Sequence, residues 1–202
     1  MINVVSIVEG DGEVRALPIL LRRLSDWLSP GSLVHVPAPI RVRRDRFIQR
    51  DEEFRRVMLL AAAKAGAGGW VLVLLDADDD CPASLGAQLL RRAREVIPHR
   101  RVSVVLPNHE FEAWFIAAAS SLEGQRGFTQ PLGEAPVAAE SRRGAKEWLG
   151  ARMSVGYHET TDQPAFAASF DLQQAHDGSR SFQKLCKEWR LQTAGAPSEP
   201  VS

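Results

Sequence analysis

Acidic residues are concentrated at the end of one strongly apolar segment. The run VLVLL at 71–75 is followed by Asp76, Asp78 and Asp80, spaced two apart. In an extended backbone these three carboxylates would point to the same side. Such carboxylates repel one another unless a cation lies between them, and oxygen ligands favour Mg²⁺ or Mn²⁺ over zinc. The pattern predicts a site for a hard divalent cation, with turn formation or helix capping by these acids as the structural alternative.

Further acids follow two other apolar segments. Glu9 and Glu13 belong to the sequence EGDGE, directly after an apolar strand at 2–8, and Glu112 belongs to NHEFEAWF, shortly after the apolar run RVSVVL. The carboxyl ends of parallel strands meet at one edge of a sheet, which is where ligands bind in open α/β folds. We therefore expect Glu9, Asp76, Asp78 and Glu112 to lie on one rim, with Glu13 close by.

Strands and helices alternate along the first 120 residues. Short apolar runs predict strands, and apolar residues at helical spacing predict helices. This order favours a mainly parallel four-stranded sheet with helices on both faces. The predicted strands are Ile2–Val8, Leu33–Val36, the central run beginning at Val71, and Arg101–Leu106; the predicted helices are Pro18–Leu28, Asp51–Ala65, one through Leu85 to Ile97, and one capped by Asn108.

The remainder of the chain carries helical patterns only. A loop over 124–136 precedes short predicted helices at 145–152, 164–175 and 179–191. We expect an α/β core over 1–120, a small helical C-terminal extension over 121–192 packed on that core, and a flexible tail over 193–202. Tyr157 and His158 precede the second of these helices, where a structural role is more common than a catalytic one.

Arginines are frequent between the second strand and the helix that follows it. Arg41, Arg43 and Arg44 precede the predicted helix, and we expect them to lie in a loop whose side chains reach a ligand. Two interpretations stay open. The run is either a solvated face or a rim that contacts the phosphates of nucleic acid.

The charge balance and the cysteine content of the chain limit the kinds of partner and metal site that it could have. The chain has 25 basic and 25 acidic residues, so contact with nucleic acid requires a local basic patch. Its two cysteines, Cys81 and Cys186, form no C-x-x-C pair, which excludes a cysteine zinc cluster and is typical of a reducing compartment. No run approaches the roughly twenty apolar residues of a membrane span. We expect a cytoplasmic protein.

The motifs together resemble the TOPRIM superfamily of topoisomerases, DnaG-type primases and OLD-type nucleases. Its signature is a glutamate after the first strand and a D-x-D after a later one, here Glu9 and the pair Asp76 and Asp78. The sequences VEGDGE, LLDADDD, EAWF and YHETTDQPAF, with SFQKL, look like the bacterial TOPRIM-like family named domain of unknown function 4276. The resemblance implies a Rossmann-like TOPRIM fold.

The resemblance also implies roles for individual residues. Glu9 would transfer a proton, Asp76 and Asp78 would hold Mg²⁺ or Mn²⁺, and Asp80 is a further candidate ligand. In OLD-type nucleases another acid completes a metal site, which brings Glu13 and Glu112 into consideration. Members of the family are often encoded beside an ATPase and are associated with defence or repair systems.

Three functions fit this sequence. The first is a metal-dependent nuclease acting on DNA or RNA, which the motif order favours. The second is a non-catalytic metal-binding subunit that docks a partner ATPase or nucleic acid. The third is a nucleotide-sugar transferase using its D-x-D motif, which we rank last because it gives Glu9 no role.

Overall fold

The computed structural model describes residues 1–130 and 138–194. In these ranges nine α-helices and five strands alternate first and then give way to helices alone. The elements are β1 (Ile2–Val8), α1 (Asp11–Leu28), β2 (Val34–His35), β3 (Ile40–Arg41), α2 (Arg44–Gln49), α3 (Asp51–Ala65), β4 (Trp70–Leu74), α4 (Pro82–Val96), β5 (Arg101–Val105), α5 (Ala113–Ala117), α6 (Ala145–Gly150), α7 (Glu159–Ser169), α8 (Leu172–Gly178) and α9 (Arg180–Thr193).

The sheet is parallel, as predicted, but it has five strands rather than four. Its order is β2-β1-β4-β5, and β3 pairs with the carboxyl end of β1, where Val8 faces Arg41. The prediction missed β3 because two residues directly after Pro39 are too few to show an alternating pattern. As a result Arg41 lies in a strand and not in the expected loop.

Each face of the sheet carries its own hydrophobic layer. Side chains of β1 alternate, so Val4 and Val8 enter one cluster while Val5 and Ile7 enter the other. The first cluster is completed by α1 and the helices α5 to α9, and the second by α2, α3 and α4. The C-terminal helices thus share a continuous core with one face of the sheet.

Several helix boundaries differ from those predicted. Helix α1 begins at Asp11, well before the expected Pro18, because the Glu13 carboxylate accepts hydrogen bonds from the backbone N–H groups of Glu9 and Gly10 and so caps an earlier start. The N-cap of α5 is Glu112, and the predicted cap Asn108 instead donates a side-chain hydrogen bond to the carbonyl of Glu140. Helix α2 was not predicted, since six residues give too little periodicity.

The C-terminal helices begin earlier or divide differently than the pattern indicated. Helix α7 begins at Glu159, so Pro164 lies inside it, and the predicted segment 164–175 is divided between α7 and α8. The predicted helix at 179–191 corresponds to α9. Part of the predicted loop at 124–136 and most of the predicted tail at 193–202 lie outside the described residues. No helix in the described ranges is long and apolar enough to cross a membrane.

Candidate metal centre

Glu13 is fixed beneath the end of β1. Its Oε2 accepts hydrogen bonds from the backbone N–H groups of Gly10 (2.6 Å) and Glu9 (3.0 Å), and the side chain is only 4% exposed. Burial raises the pKa of Glu13, while the two N–H donors oppose that change. The carboxyl group is therefore held in one position at the start of α1.

Asp76 connects the ends of two neighbouring strands. Its Oδ1 accepts a hydrogen bond from the N–H of Phe111 (2.8 Å), and the N–H of Ala77 donates to the carbonyl of Pro107 (3.1 Å). Burial raises the pKa of Asp76 well above its ordinary value, and the charges of Glu13 and Glu112 raise it further. Asp76, which follows β4, therefore interacts electrostatically with Glu13, after β1, and with Glu112, after β5.

Asp78 and Asp80 do not share a side with Asp76, contrary to the expectation from their spacing. The chain turns after Ala77, whose carbonyl accepts a hydrogen bond from the N–H of Asp80 (2.9 Å), and Asp78 has a positive φ of 49°. This turn interrupts the period of two that an extended backbone would give. Both side chains are more than half exposed and form ion pairs with Arg44.

Arg44 holds this turn from below and is not the loop residue that the sequence suggested. It is the first residue of α2 and is only 8% exposed. Its guanidinium donates to the carbonyl of Asp76 (2.9 Å) and to that of Ala77 (3.1 Å), and it also bonds the carboxylate of Asp80. Arg44 is thus occupied with positioning the acidic turn.

Glu9 lies on the outer side of the same rim. It is partly buried, and burial together with the nearby charge of Asp78 raises its pKa. The positive charge of Arg44 reduces that increase. The acids are therefore divided into two groups. We call Glu13, Asp76 and Glu112 the inner acids, and Glu9, Asp78 and Asp80 the outer acids.

Glu112 is the most deeply buried of the inner acids. It is 0% exposed, and its Oε1 accepts hydrogen bonds from the hydroxyl of Tyr157 (2.9 Å) and from the amide of Gln163 (3.1 Å). Its Oε2 is buried and has no hydrogen-bond partner among the described residues. Burial raises the pKa of Glu112 to about 7, an effect that the charge of Lys146 reduces. A buried oxygen without a donor is unfavourable unless something else binds it.

Lys146 brings a positive charge to the inner acids. It is the second residue of α6 and forms an ion pair with Glu159. Burial lowers its pKa, but the charges of Glu112 and Glu159 outweigh burial and the pKa is raised. Lys146 therefore stays protonated and partly compensates the acidic centre.

The neighbouring acid Glu110 has a different task. Its Oε2 accepts hydrogen bonds from the N–H groups of Ala145 (2.7 Å) and Lys146 (3.2 Å), at the start of α6. The carboxylate that binds Tyr157 and Gln163 is that of Glu112.

A divalent cation suits the chemistry of the inner acids but would not be enclosed by protein ligands alone. No group of three or more His, Cys, Asp or Glu side chains in 1–130 and 138–194 is arranged to hold a metal ion. Mg²⁺ commonly binds through only one or two carboxylates, with water and substrate phosphates completing its shell. Oε2 of Glu112, which lacks a hydrogen-bond partner within 1–130 and 138–194, fits that mode of binding, and so does Asp76, whose pKa is raised by burial and by the charges of Glu13 and Glu112.

Two exposed arginines lie beside the outer acids. Arg41 donates to the carbonyl of Glu9 (3.1 Å) and forms an ion pair with Asp11 at 2.6 Å. Arg43, the N-cap of α2, is exposed and lines a shallow groove together with Arg41, Arg46 and Glu53. Of the three predicted phosphate contacts, Arg41 and Arg43 thus face solvent and Arg44 does not.

The sequence pointed to Tyr157 but not to the two other residues that surround Glu112. Lys146 and Gln163 come from helices α6 and α7, about 34 and 51 positions after Glu112, and no local pattern links them. Gly12 of α1 also lies at this contact, since a Cβ at that position would meet Gln163 and the carbonyl of Glu159. The stretch YHETTDQ could have indicated these contacts. It places the polar residues Asp162 and Gln163 on the buried side of α7, where apolar residues are usual.

Comparison with known proteins gives a family without an assigned activity. A family model described as Domain of unknown function (DUF4276) matches residues 8–189. No curated protein and no solved structure matches the chain. The matched range contains the inner acids, the outer acids, Lys146, Tyr157 and Gln163. The chain therefore belongs to the DUF4276 family.

Proposed function

We propose that this protein hydrolyses phosphodiester bonds of DNA or RNA with the help of a divalent metal ion. The observation that carries the proposal is the buried Oε2 of Glu112, which has no hydrogen-bond partner among the described residues. Its charge also acts on Asp76, whose pKa is raised by burial first and then by Glu13 and Glu112. Most buried side-chain oxygens have a hydrogen-bond partner, and a bound cation would satisfy Oε2 of Glu112. The resemblance to TOPRIM nucleases supports the same chemistry.

Asp76 and Glu112 are the residues that would hold Mg²⁺ or Mn²⁺, with water and substrate phosphates completing the shell. Glu13 would add negative charge beside Asp76. Such an ion stabilises charge on a phosphodiester and lowers the pKa of a bound water molecule. Arg44 orients the loop that carries Asp76, since it binds the carbonyl of that residue. We assign Asp80 to Arg44 rather than to the metal.

Glu9 is suited to proton transfer in this scheme. Its raised pKa brings it closer to neutral pH, which is where a general base is most effective. Asp78 lies near Glu9 on the exposed side of the rim. It pairs with Arg44 at 3.3 Å, but its side chain is 55% exposed and could also meet a second ion. Arg41 and Arg43 would contact phosphates of the substrate.

A partner ATPase and a role in defence or repair are part of the same proposal and rest on the resemblance alone. A non-catalytic metal-binding subunit is the alternative. It predicts metal binding without cleavage, both alone and with the partner.

Nicking of supercoiled plasmid and cleavage of single-stranded RNA in Mn²⁺ or Mg²⁺ test this function. We expect cleavage by the wild-type protein, no cleavage in EDTA, and at least a hundredfold loss in Asp76→Asn and Glu112→Gln. Asp26→Asn is the matched control, because Asp26 is an exposed acid about 22 Å further along α1 from the rim. Equal activity in Asp76→Asn and wild type would refute the proposal.

A further inference from the structure

The two hydrogen bonds to Glu112 converge on one of its oxygens. The donors are Tyr157 and Gln163, and both bind Oε1, while Oε2 has no partner in the described part of the chain. A carboxylate with two donors on one oxygen is fixed in its plane, so its second oxygen points in a set direction. We propose that Tyr157 and Gln163 are positioning residues that orient Oε2 of Glu112 towards a divalent cation. This inference depends on the proposed function.

Both donors are rigidly placed. The ring of Tyr157 stacks on Phe166, with ring centroids 6.2 Å apart and an interplanar angle of 27°, and Phe166 is fully buried. Gln163 is 2% exposed and lies against Gly12 of α1. A metal ligand is commonly held by such outer partners, whose loss typically weakens metal binding by 10–100-fold.

Tyr157 is poorly suited to act as a nucleophile. Burial and the charge of Glu112 both raise its pKa, so the phenolate is strongly disfavoured. Its hydroxyl already donates to Glu112. The arrangement favours a hydroxyl whose task is to orient a neighbouring carboxylate.

Calorimetric titration of the metal-free 202-residue chain with Mn²⁺ tests this inference without relying on cleavage. We expect Tyr157→Phe and Gln163→Met to raise the dissociation constant for Mn²⁺ by 10–100-fold. Tyr157→Phe keeps the ring that stacks on Phe166. Thr193→Val is the matched control, since it also removes a buried hydroxyl hydrogen bond (2.8 Å to the carbonyl of Trp189) but in α9.

A second comparison separates positioning from a general effect on the fold. In the Glu112→Gln background, Tyr157→Phe is expected to cause no further loss of Mn²⁺ affinity, because Tyr157 acts through Glu112. A further loss there, or a dissociation constant for Tyr157→Phe within twofold of wild type, overturns the inference while leaving the proposed function intact. Absence of Mn²⁺ binding by the wild-type protein overturns both.

Discussion

The carboxylate of Asp76 accepts a hydrogen bond from the backbone N–H of Phe111 at 2.8 Å, and so joins the loop after β4 to the loop after β5. The same two loops are linked by the N–H of Asp78, which donates to the carbonyl of His109 (3.1 Å). Glu112 follows Phe111 directly, so the position of one inner acid depends on the other. This coupling brings two acids from separate strands to one place and keeps them there.

The raised pKa of Glu112 predicts how stability depends on pH in the absence of metal. Between its ordinary value of 4.5 and about 7, the folded protein retains a proton that the unfolded chain has lost. The free energy of unfolding in EDTA should therefore fall as pH rises from 4.5 to 7.5, by on the order of 3 kcal/mol from this group. Urea denaturation at several pH values measures it.

Glu112→Gln should reduce that dependence on pH, because a neutral amide has no proton to lose. The exposed Glu52→Gln is the control and should follow wild type. A pH profile of Glu112→Gln as steep as that of wild type would show that Glu112 titrates normally.

Arg44→Lys should destabilise the protein although it conserves charge. A lysine cannot reproduce the fork that binds the carbonyls of Asp76 and Ala77 and the carboxylate of Asp80. We expect a loss of about 2 kcal/mol or more in the free energy of unfolding, since this guanidinium is almost fully buried. The exposed Arg46→Lys serves for comparison. Equal stability of the two variants would mean that Arg44 does not hold the turn.

Gly12→Ala should disturb the site through packing. A methyl group at this position would overlap Oε1 of Gln163 and lie 2.9 Å from the carbonyl of Glu159. Overpacking of this kind typically costs 1–3 kcal/mol, and displacement of Gln163 should also weaken Mn²⁺ binding. Gly68→Ala is the control, because no atom lies within 4 Å of its added carbon. Wild-type stability and Mn²⁺ affinity in Gly12→Ala would contradict the close contact of α1 and α7.

Arg43→Glu should weaken binding to nucleic acid in a way that depends on salt. Removing one phosphate contact is expected to lower the slope of log affinity against log salt by about 1. Fluorescence anisotropy with labelled DNA and RNA in EDTA measures binding without cleavage. Arg22→Glu, an exposed charge reversal on α1, is the control. If both variants bind alike, Arg43 belongs to a solvated face.

The parallel sheet and the acids at its carboxyl edge could be predicted from the sequence, because each buried strand and the acids that follow it are close together in the chain. Glu9 and Asp76 follow their strands within two residues and Glu112 follows β5 by seven, so their common edge follows from topology. The orientation of Asp78 and Asp80 could not be predicted in this way. Their spacing implies one common side, but the hydrogen bond from the N–H of Asp80 to the carbonyl of Ala77 closes a turn there. Lys146, Tyr157 and Gln163 reach Glu112 only through tertiary packing of α6 and α7.

Anomalous diffraction from crystals soaked in Mn²⁺ would show whether Asp76 and Glu112 bind the ion, because it locates the ion without reference to activity. We expect a peak within coordination distance of Asp76 and Oε2 of Glu112, lost in Asp76→Asn and retained in Asp26→Asn. Manganese bound only at the outer acids, or none at the rim in crystals of protein that cleaves nucleic acid, would contradict the proposed metal site.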